Sequence, residues 1–206
     1  MSQIFWRQSP GARRDVPCLF LDRDGVVVEE VRYLGDAEKV AILPGVRDTL
    51  IAARHLGWAV GLVTNQAGVG RGYYDWTDFA NVQTRIIEHL DLGTDVFDFV
   101  AACGTHPEAR HDHLRVEHLW RKPNDGMLRM AQQALALRLE DSVMVGDQLS
   151  DVQAGLTAGL PRVAHVLTGH GTEARPGVEA FAATRPVGQV MLLGGLGDLP
   201  DRMGWD

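Results

Sequence analysis

The sequence predicts a doubly wound α/β fold, a Rossmann-like parallel sheet of about five or six strands. Two observations carry this. Short runs that are apolar throughout, such as VPCLFLD at 16–22 and WAVGLVTN at 58–65, read as strands covered on both faces, the habit of parallel sheets. They alternate with longer stretches of helical period, and parallel neighbours need such crossovers.

Taken in order, 16–22 is the first strand. Pro44 and Gly45 open a helix with Val46, Leu50, Ala53 and Leu56 on one face and Gly57 as its stop. Residues 58–65 form the second strand. WTDFANVQTRIIEHL (76–90) is helical, with Thr77 as its expected N-cap. FDFVAAC (97–103) is the third strand. NDGMLRMAQQALALRL (124–139) is a helix, because Ala, Leu, Met and Gln are good helix formers. SVMVGD (142–147) is the fourth strand, SDVQAGLTAGL (150–160) a short helix and RVAHVLTG (162–169) the fifth strand. The expected core is 16–170. From Gly171 to residue 206 the chain is Gly/Pro-rich and weakly patterned, with an edge strand or a short last helix as the expectation. The length suits one domain over 1–206.

Composition narrows the function. With 45% apolar residues the chain can build a core, and its net charge of -7 reads against a nucleic-acid partner. No apolar run approaches the ~20 residues needed to span a bilayer, and MSQIFWRQSPGARRD lacks the apolar region of a signal peptide. Cys18 and Cys103 suggest no disulfide framework, which fits a reducing compartment. A soluble, cytoplasmic monomer is expected. The basic residues comprise 18 Arg but only Lys39 and Lys122, so a lysine near a motif stands out.

In open α/β sheets, ligands bind beyond the carboxyl ends of the strands. Asp22 and Asp24 follow the first strand, Thr64 and Asn65 end the second, and Asp147 ends the fourth, with Asp151 one helical turn later. Arg121 and Lys122 precede the long helix. Carboxylates, a hydroxyl–amide pair and a lysine on one rim suit phosphoryl transfer with Mg²⁺. Hard carboxylate oxygens hold such a cation, one carboxylate can attack phosphorus, and a second can carry the proton. Taken singly, Asp22–Asp24 reads as a turn and Arg121–Lys122 as solvated charge. The ordered set reverses that reading.

FLDRDGVV, LVTNQAGVGRG, RKPNDGML and MVGDQLSDVQAG, in that order, resemble the four motifs of the haloacid dehalogenase (HAD) superfamily of phosphatases. More narrowly, the DRDG, TNQxGxxRG and RKPxxGM strings resemble the D-glycero-D-manno-heptose-1,7-bisphosphate phosphatases and their histidinol-phosphatase relatives, over about 20–169. The resemblance implies Asp22 as nucleophile and Asp24 as general acid/base. Asp22, Asp147 and the backbone carbonyl of Asp24 would hold Mg²⁺. Thr64, Asn65 and the adjoining Gln66 would take the phosphate, with Lys122 stabilising the charge. Asp151 would stand behind the metal or complement the start of its helix. Arg71 and Arg121 fall where the family contacts substrate. Gln148 and Ala67 replace a frequent Lys and a frequent Ser. Arg23 is expected on the opposite side by strand alternation, outside the site.

The gaps between motifs leave no room for a separate cap, so the loops at 25–43 and 103–120 are expected to supply specificity. The family often holds a structural zinc before RKP, through Cys-x-His and Cys-x-Cys. Here Cys103 remains, Thr105 stands where the His belongs, and His118 and Trp120 replace the second pair. A rearranged site from Cys103, His106 and His118 is the alternative reading, with His111 and His113 as further donors. The broken spacing favours a His-rich loop without zinc, with Trp120 packing the loop in place of a metal.

The expected activity is thus an Mg²⁺-dependent phosphomonoesterase acting on a small phosphorylated sugar, most readily heptose 1,7-bisphosphate. Histidinol phosphate is the alternative substrate. A phospho-accepting receiver is disfavoured because receivers phosphorylate an Asp later in the chain. A non-catalytic sugar-phosphate binder has no need of both Asp22 and Asp24.

Overall fold

A computed structural model describes residues 2–205. Seven strands form one sheet: β1 (Ile4–Gln8), β2 (Cys18–Leu21), β3 (Ala59–Asn65), β4 (Phe99–Cys103), β5 (Val143–Gly146), β6 (Arg162–His165) and β7 (Val190–Leu192). Their spatial order is β1-β4-β3-β2-β5-β6-β7, parallel throughout except for the antiparallel edge strand β1. The helices are α1 (Val46–His55), α2 (Ala67–Arg71), α3 (Trp76–Leu90), α4 (Gly126–Leu135), α5 (Leu149–Thr157), α6 (Gly171–Ala182) and α7 (Leu199–Met203).

Side chains alternate across each strand, and two cores follow. Leu19 and Leu21 join Val60, Leu62, Val143 and Val145 under α1, α3 and α7. Cys18 and Phe20 join Ala59, Val63 and Met144 under α4, α5 and α6. With every residue of β2 buried between β3 and β5, its end is the centre of the rim.

Seven strands replace the expected five or six. β1 pairs with β4 from Ile4↔Cys103 to Gln8↔Phe99, although it lies before residue 16. Beyond residue 170, α6, β7 and α7 all form, and Val178, Met191 and Leu199 are buried. Gly171, Pro176 and Gly177 are poor helix formers, so tertiary contacts decide α6 where propensity does not. The expected cap of α3 also moves. Asp75 accepts from the amides of Thr77 (2.7 Å) and Asp78 (3.0 Å), and Asp78 returns a bond to the Asp75 amide at 3.0 Å. This capping box starts the helix two residues before a Thr77 cap would. The long helix stops at Leu135 because Ala136 takes a left-handed conformation. No separate cap domain stands among the described residues. No described helix is long and apolar enough to cross a membrane.

Candidate active site

A cleft of about 840 Å³ opens at the carboxyl ends of the parallel strands. Its floor begins with Asp22, whose amide donates to Val145 (3.0 Å) and continues the β2–β5 pairing by one residue. Asp22 Oδ1 accepts from the Arg23 amide at 2.7 Å and lies 3.0 Å from Lys122 Nζ. Lys122 is 3% exposed, and its ammonium has three partners: Asp22, Asp151 Oδ1 at 2.6 Å and the Val63 carbonyl at 2.8 Å. An ammonium has three protons, so this one is saturated and fixed. Burial lowers its proton affinity, but Asp151 and Asp22 outweigh that and hold it charged.

Asp151 caps its helix, as expected, and also pairs with Lys122. One oxygen pairs with Lys122, and the other accepts from the Gln148 amide at 2.9 Å, capping α5. Asp147 Oδ2 accepts from the His170 amide at 2.8 Å. Close glycines make room for it. A Cβ on Gly25 (φ 78°) would come 2.5 Å from Asp147 Oδ2, and one on Gly169 would come 2.4 Å from it.

Asp22, Asp147 and Asp151 bring ligand oxygens within 4.8 Å of one another. Burial, assisted by Asp151 and Asp24, pushes Asp22 up to about 6 despite Lys122. Burial together with Asp22 and Asp151 pushes Asp147 up to about 8. Three buried carboxylates with one ammonium leave negative charge in excess, and an all-oxygen donor set of this kind fits a hard divalent cation.

Asp24 faces a separate network, and here the sequence reading is corrected. The strand ends at Leu21, and the Arg23 carbonyl accepts from the amides of Val27 (2.9 Å) and Val28 (3.1 Å). The chain curls, alternation lapses, and Arg23 turns beside Asp24. Fully buried, it grips Asp24 with Nε–Oδ1 at 2.9 Å and Nη2–Oδ2 at 2.8 Å and lies over the Phe79 ring. Gln66 Nε2 donates to Asp24 Oδ2 (2.9 Å) and to Thr64 Oγ1 (2.8 Å). Its Oε1 accepts from Arg23 (3.0 Å) and from the Tyr74 hydroxyl (2.5 Å). Burial pushes the Tyr74 phenol up to about 12, so it stays a donor. Gln66 thus links Thr64 to Asp24. Arg23 and Tyr74 were missed; Gly25 in DRDG was the available sign that the chain turns.

Asn65 spends its side chain on Lys122. Its Nδ2 donates to the Lys122 carbonyl and its Oδ1 accepts from the Lys122 amide, both at 3.0 Å. The side chain expected on the phosphate thus also ties β3 to the backbone of Lys122 at the cleft. Arg121 lines the cleft and donates to the Thr105 carbonyl at 2.6 Å. Arg71 lies behind the rim, paired with Glu108 at 2.7 Å and stacked over Tyr33. It thereby ties the loop at 25–43 to the loop at 103–120. Those loops bring Glu30, Arg32, Tyr33 and His106 to the cleft wall, which His170 also lines.

The three donors of the alternative zinc reading have separate local partners. Cys103 Sγ lies 3.3 Å from the Thr105 hydroxyl. His106 Nδ1 accepts from the Glu108 amide at 3.0 Å, and His118 Nδ1 from the Trp120 amide at 3.1 Å. Trp120 packs edge-on against Trp6 and joins the core under α4.

The HAD-hydrolase-like family model matches residues 119–188. A D-glycero-β-D-manno-heptose-1,7-bisphosphate 7-phosphatase of Mesorhizobium japonicum is 42% identical over 70% of this chain and 67% of its own. The D-glycero-α-D-manno-heptose-1,7-bisphosphate 7-phosphatase of Burkholderia mallei is 43% identical over 69% of this chain and 75% of its own. The crystal structure of D,D-heptose 1,7-bisphosphate phosphatase from B. bronchiseptica, complexed with magnesium and phosphate, superposes with a TM-score of 0.73 at 26% identity, covering 91% of this chain and 97% of that one. Sheet order, rim and relatives agree: the chain belongs to the HAD-like hydrolases, as a phosphatase of the heptose-1,7-bisphosphate 7-phosphatase family.

Proposed function

We propose that this phosphatase removes a phosphate from D-glycero-D-manno-heptose 1,7-bisphosphate, with Asp22 as nucleophile and Mg²⁺ as cofactor. The observation that carries the reading is the floor, where Asp22 lies 3.0 Å from a saturated Lys122 and next to Asp147 and Asp151. The names of the relatives support the substrate, one for each anomer. Arg32, Arg121, His106 and His170 on the cleft wall support an anion larger than one phosphate.

Asp22 and Asp147, with the Asp24 carbonyl, would hold the cation, and Asp151 would keep Lys122 in place. Bound there, the cation supplies charge neutralisation for the carboxylates and the phosphoryl oxygens. The Asp22 carboxylate attacks phosphorus, and the bond from phosphorus to the sugar oxygen breaks. Asp24 gives its proton to that oxygen, which leaves as the sugar hydroxyl. Asp24 then takes a proton from water as the water oxygen attacks the aspartyl-phosphate. The bond from Asp22 to phosphorus breaks, and inorganic phosphate departs. Lys122 and the Thr64 hydroxyl hold the transferring group. Arg23 and Gln66 keep Asp24 aimed between these steps.

The test is phosphate release from both heptose bisphosphate anomers, histidinol phosphate and smaller sugar phosphates, with Mg²⁺ and with a chelator. The expected result is the highest kcat/KM on a heptose bisphosphate and loss of turnover on chelation. Asp22→Asn should lower kcat/KM at least about a thousandfold while the protein melts at the same temperature or higher, since a crowded carboxylate is gone. Preference for histidinol phosphate, or turnover indifferent to chelation, would overturn the reading.

A further inference from the structure

The catalytic floor and the loop at 25–43 meet at one side chain, Tyr74, which lines the cleft shortly after α2. Two glycines hold its ring. A Cβ on Gly35, in the loop, would come 2.6 Å from Tyr74 Cβ and Cγ, and one on Gly68, in α2, would come 2.2 Å from Cε1. Both distances lie far inside carbon–carbon contact, so a larger residue at either position would displace the ring. The Leu34 carbonyl, next to Gly35, accepts from Arg23 Nη2 at 3.4 Å. The loop thus touches both groups that donate to Gln66 Oε1, the Arg23 guanidinium and the Tyr74 hydroxyl.

Gln66 has no spare capacity. A side-chain amide offers two lone pairs on oxygen and two protons on nitrogen. Arg23 and Tyr74 occupy the oxygen, and Asp24 Oδ2 and Thr64 Oγ1 occupy the nitrogen. The two donors on Oε1 fix which end of the amide faces the floor, because a flipped amide would set Nε2 against Arg23. Two consequences follow for the reacting groups. Thr64 Oγ1 accepts from Gln66, so its own proton is left to donate to a phosphoryl oxygen. Asp24 Oδ2 accepts from both Gln66 and Arg23, whereas Oδ1 accepts from Arg23 alone and keeps a lone pair for the leaving group's proton.

We propose that Tyr74 is a positioning residue for phosphoryl transfer: its hydroxyl holds Gln66, which sets the Thr64 hydroxyl and the Asp24 carboxyl, and its ring transmits the position of the loop at 25–43 to them. This rests on the roles given above to Asp24 and Thr64. A substrate that shifts Gly35 changes the aim of both groups, so part of the selectivity of the loop is expressed in kcat.

The test uses the full chain and Tyr74→Phe, which removes the hydroxyl and keeps the ring between the glycines. The side-chain amide signals of Gln66 in nitrogen–proton spectra, identified by their loss in Gln66→Met, should move in Tyr74→Phe without any substrate present. With the substrate that ranks first in the panel above, kcat should fall about three- to tenfold at nearly constant KM. Gly35→Ala, which crowds the ring, should lower kcat with the hydroxyl intact. Adding Tyr74→Phe to Gln66→Met should lower kcat no further, since Tyr74 acts through Gln66. The inference is overturned if the Gln66 signals stay in place, if Tyr74→Phe or Gly35→Ala keeps the kcat of the parent, if the loss falls on KM alone, or if the losses of Tyr74→Phe and Gln66→Met add in full. The amide signals are read without substrate, so a wrong substrate assignment shows in the panel and leaves this reading standing.

Discussion

The floor and the wall of the cleft are built on different principles. On the floor, Lys122 has a partner for each proton, Asp151 uses both oxygens, and Asn65 grips the backbone of Lys122 at two points. The wall is made of loop residues. Arg32 and Tyr33 adopt left-handed backbone at φ 47° and 67°, and Tyr73 beside them is 60% exposed. Strand ends, the RKP loop and the start of α5 position the floor, and loops position most of the wall. A reaction step that tolerates little displacement is served by the first, and a choice among substrates by the second.

The contrast is broken most forcefully at Lys122. Lys122→Met leaves Asp22 and Asp151 buried without their counter-charge, and it should cost about 3–5 kcal/mol of stability together with almost all turnover. Denaturant unfolding and phosphate release measure the two. Added Mg²⁺ should recover part of the stability, because it neutralises the same carboxylates, but little of the turnover.

Arg23→Gln comes next. It keeps Asp22 and Lys122 in place but frees Asp24 to rotate, so kcat should fall about ten- to a hundredfold with KM nearly constant. The loss should shrink with p-nitrophenyl phosphate, whose leaving group needs no proton. An equal loss on both substrates would mean that Arg23 acts elsewhere.

On the wall, Arg32→Ala should raise KM for heptose bisphosphate a few-fold, by about 1 kcal/mol of binding, and leave kcat and p-nitrophenyl phosphate turnover alone. This selectivity is what separates wall from floor.

The smallest effect lies beneath the floor. His165 is buried, with Nε2 at 2.9 Å from the Asp147 carbonyl, and Arg175 Nε donates to its Nδ1 at 3.1 Å. That places the proton on Nε2 and keeps the ring neutral. Burial holds its pKa below the ordinary 6.5. As pH falls below 6.5, the unfolded chain takes up a proton that the folded ring resists, so stability drops there and is retained above it. Unfolding at about pH 7.5 and about pH 5.5 should show a smaller acid loss in His165→Asn than in the parent.

Much of the floor was legible because each residue follows a strand whose apolar run is visible. LFLD ends at Asp22 and LVTN at Asn65, and MVGD ends at Asp147. Arg23 was not legible, since its position depends on where the strand stops, and LFLDRD can continue its alternation on paper. The double bond of Asn65 to the Lys122 backbone was equally hidden, because it needs β3 and the RKP loop to meet. Strand β1 and helix α6 were missed for a shared reason. IFWRQ is short and GTEARPGVEAFA carries Pro and Gly, so contacts distant in sequence determine both.

The central claim is that Asp22 takes the phosphoryl group and Asp24 moves the proton. Asp24→Asn should still be phosphorylated by p-nitrophenyl phosphate with Mg²⁺, then stall before hydrolysis. Acid quenching and mass spectrometry of the proteolysed protein should then find one phosphoryl group on the peptide that contains Asp22, and none in Asp22→Asn. A burst of p-nitrophenol without that modified peptide, or a phosphoryl group on another residue, would contradict the account.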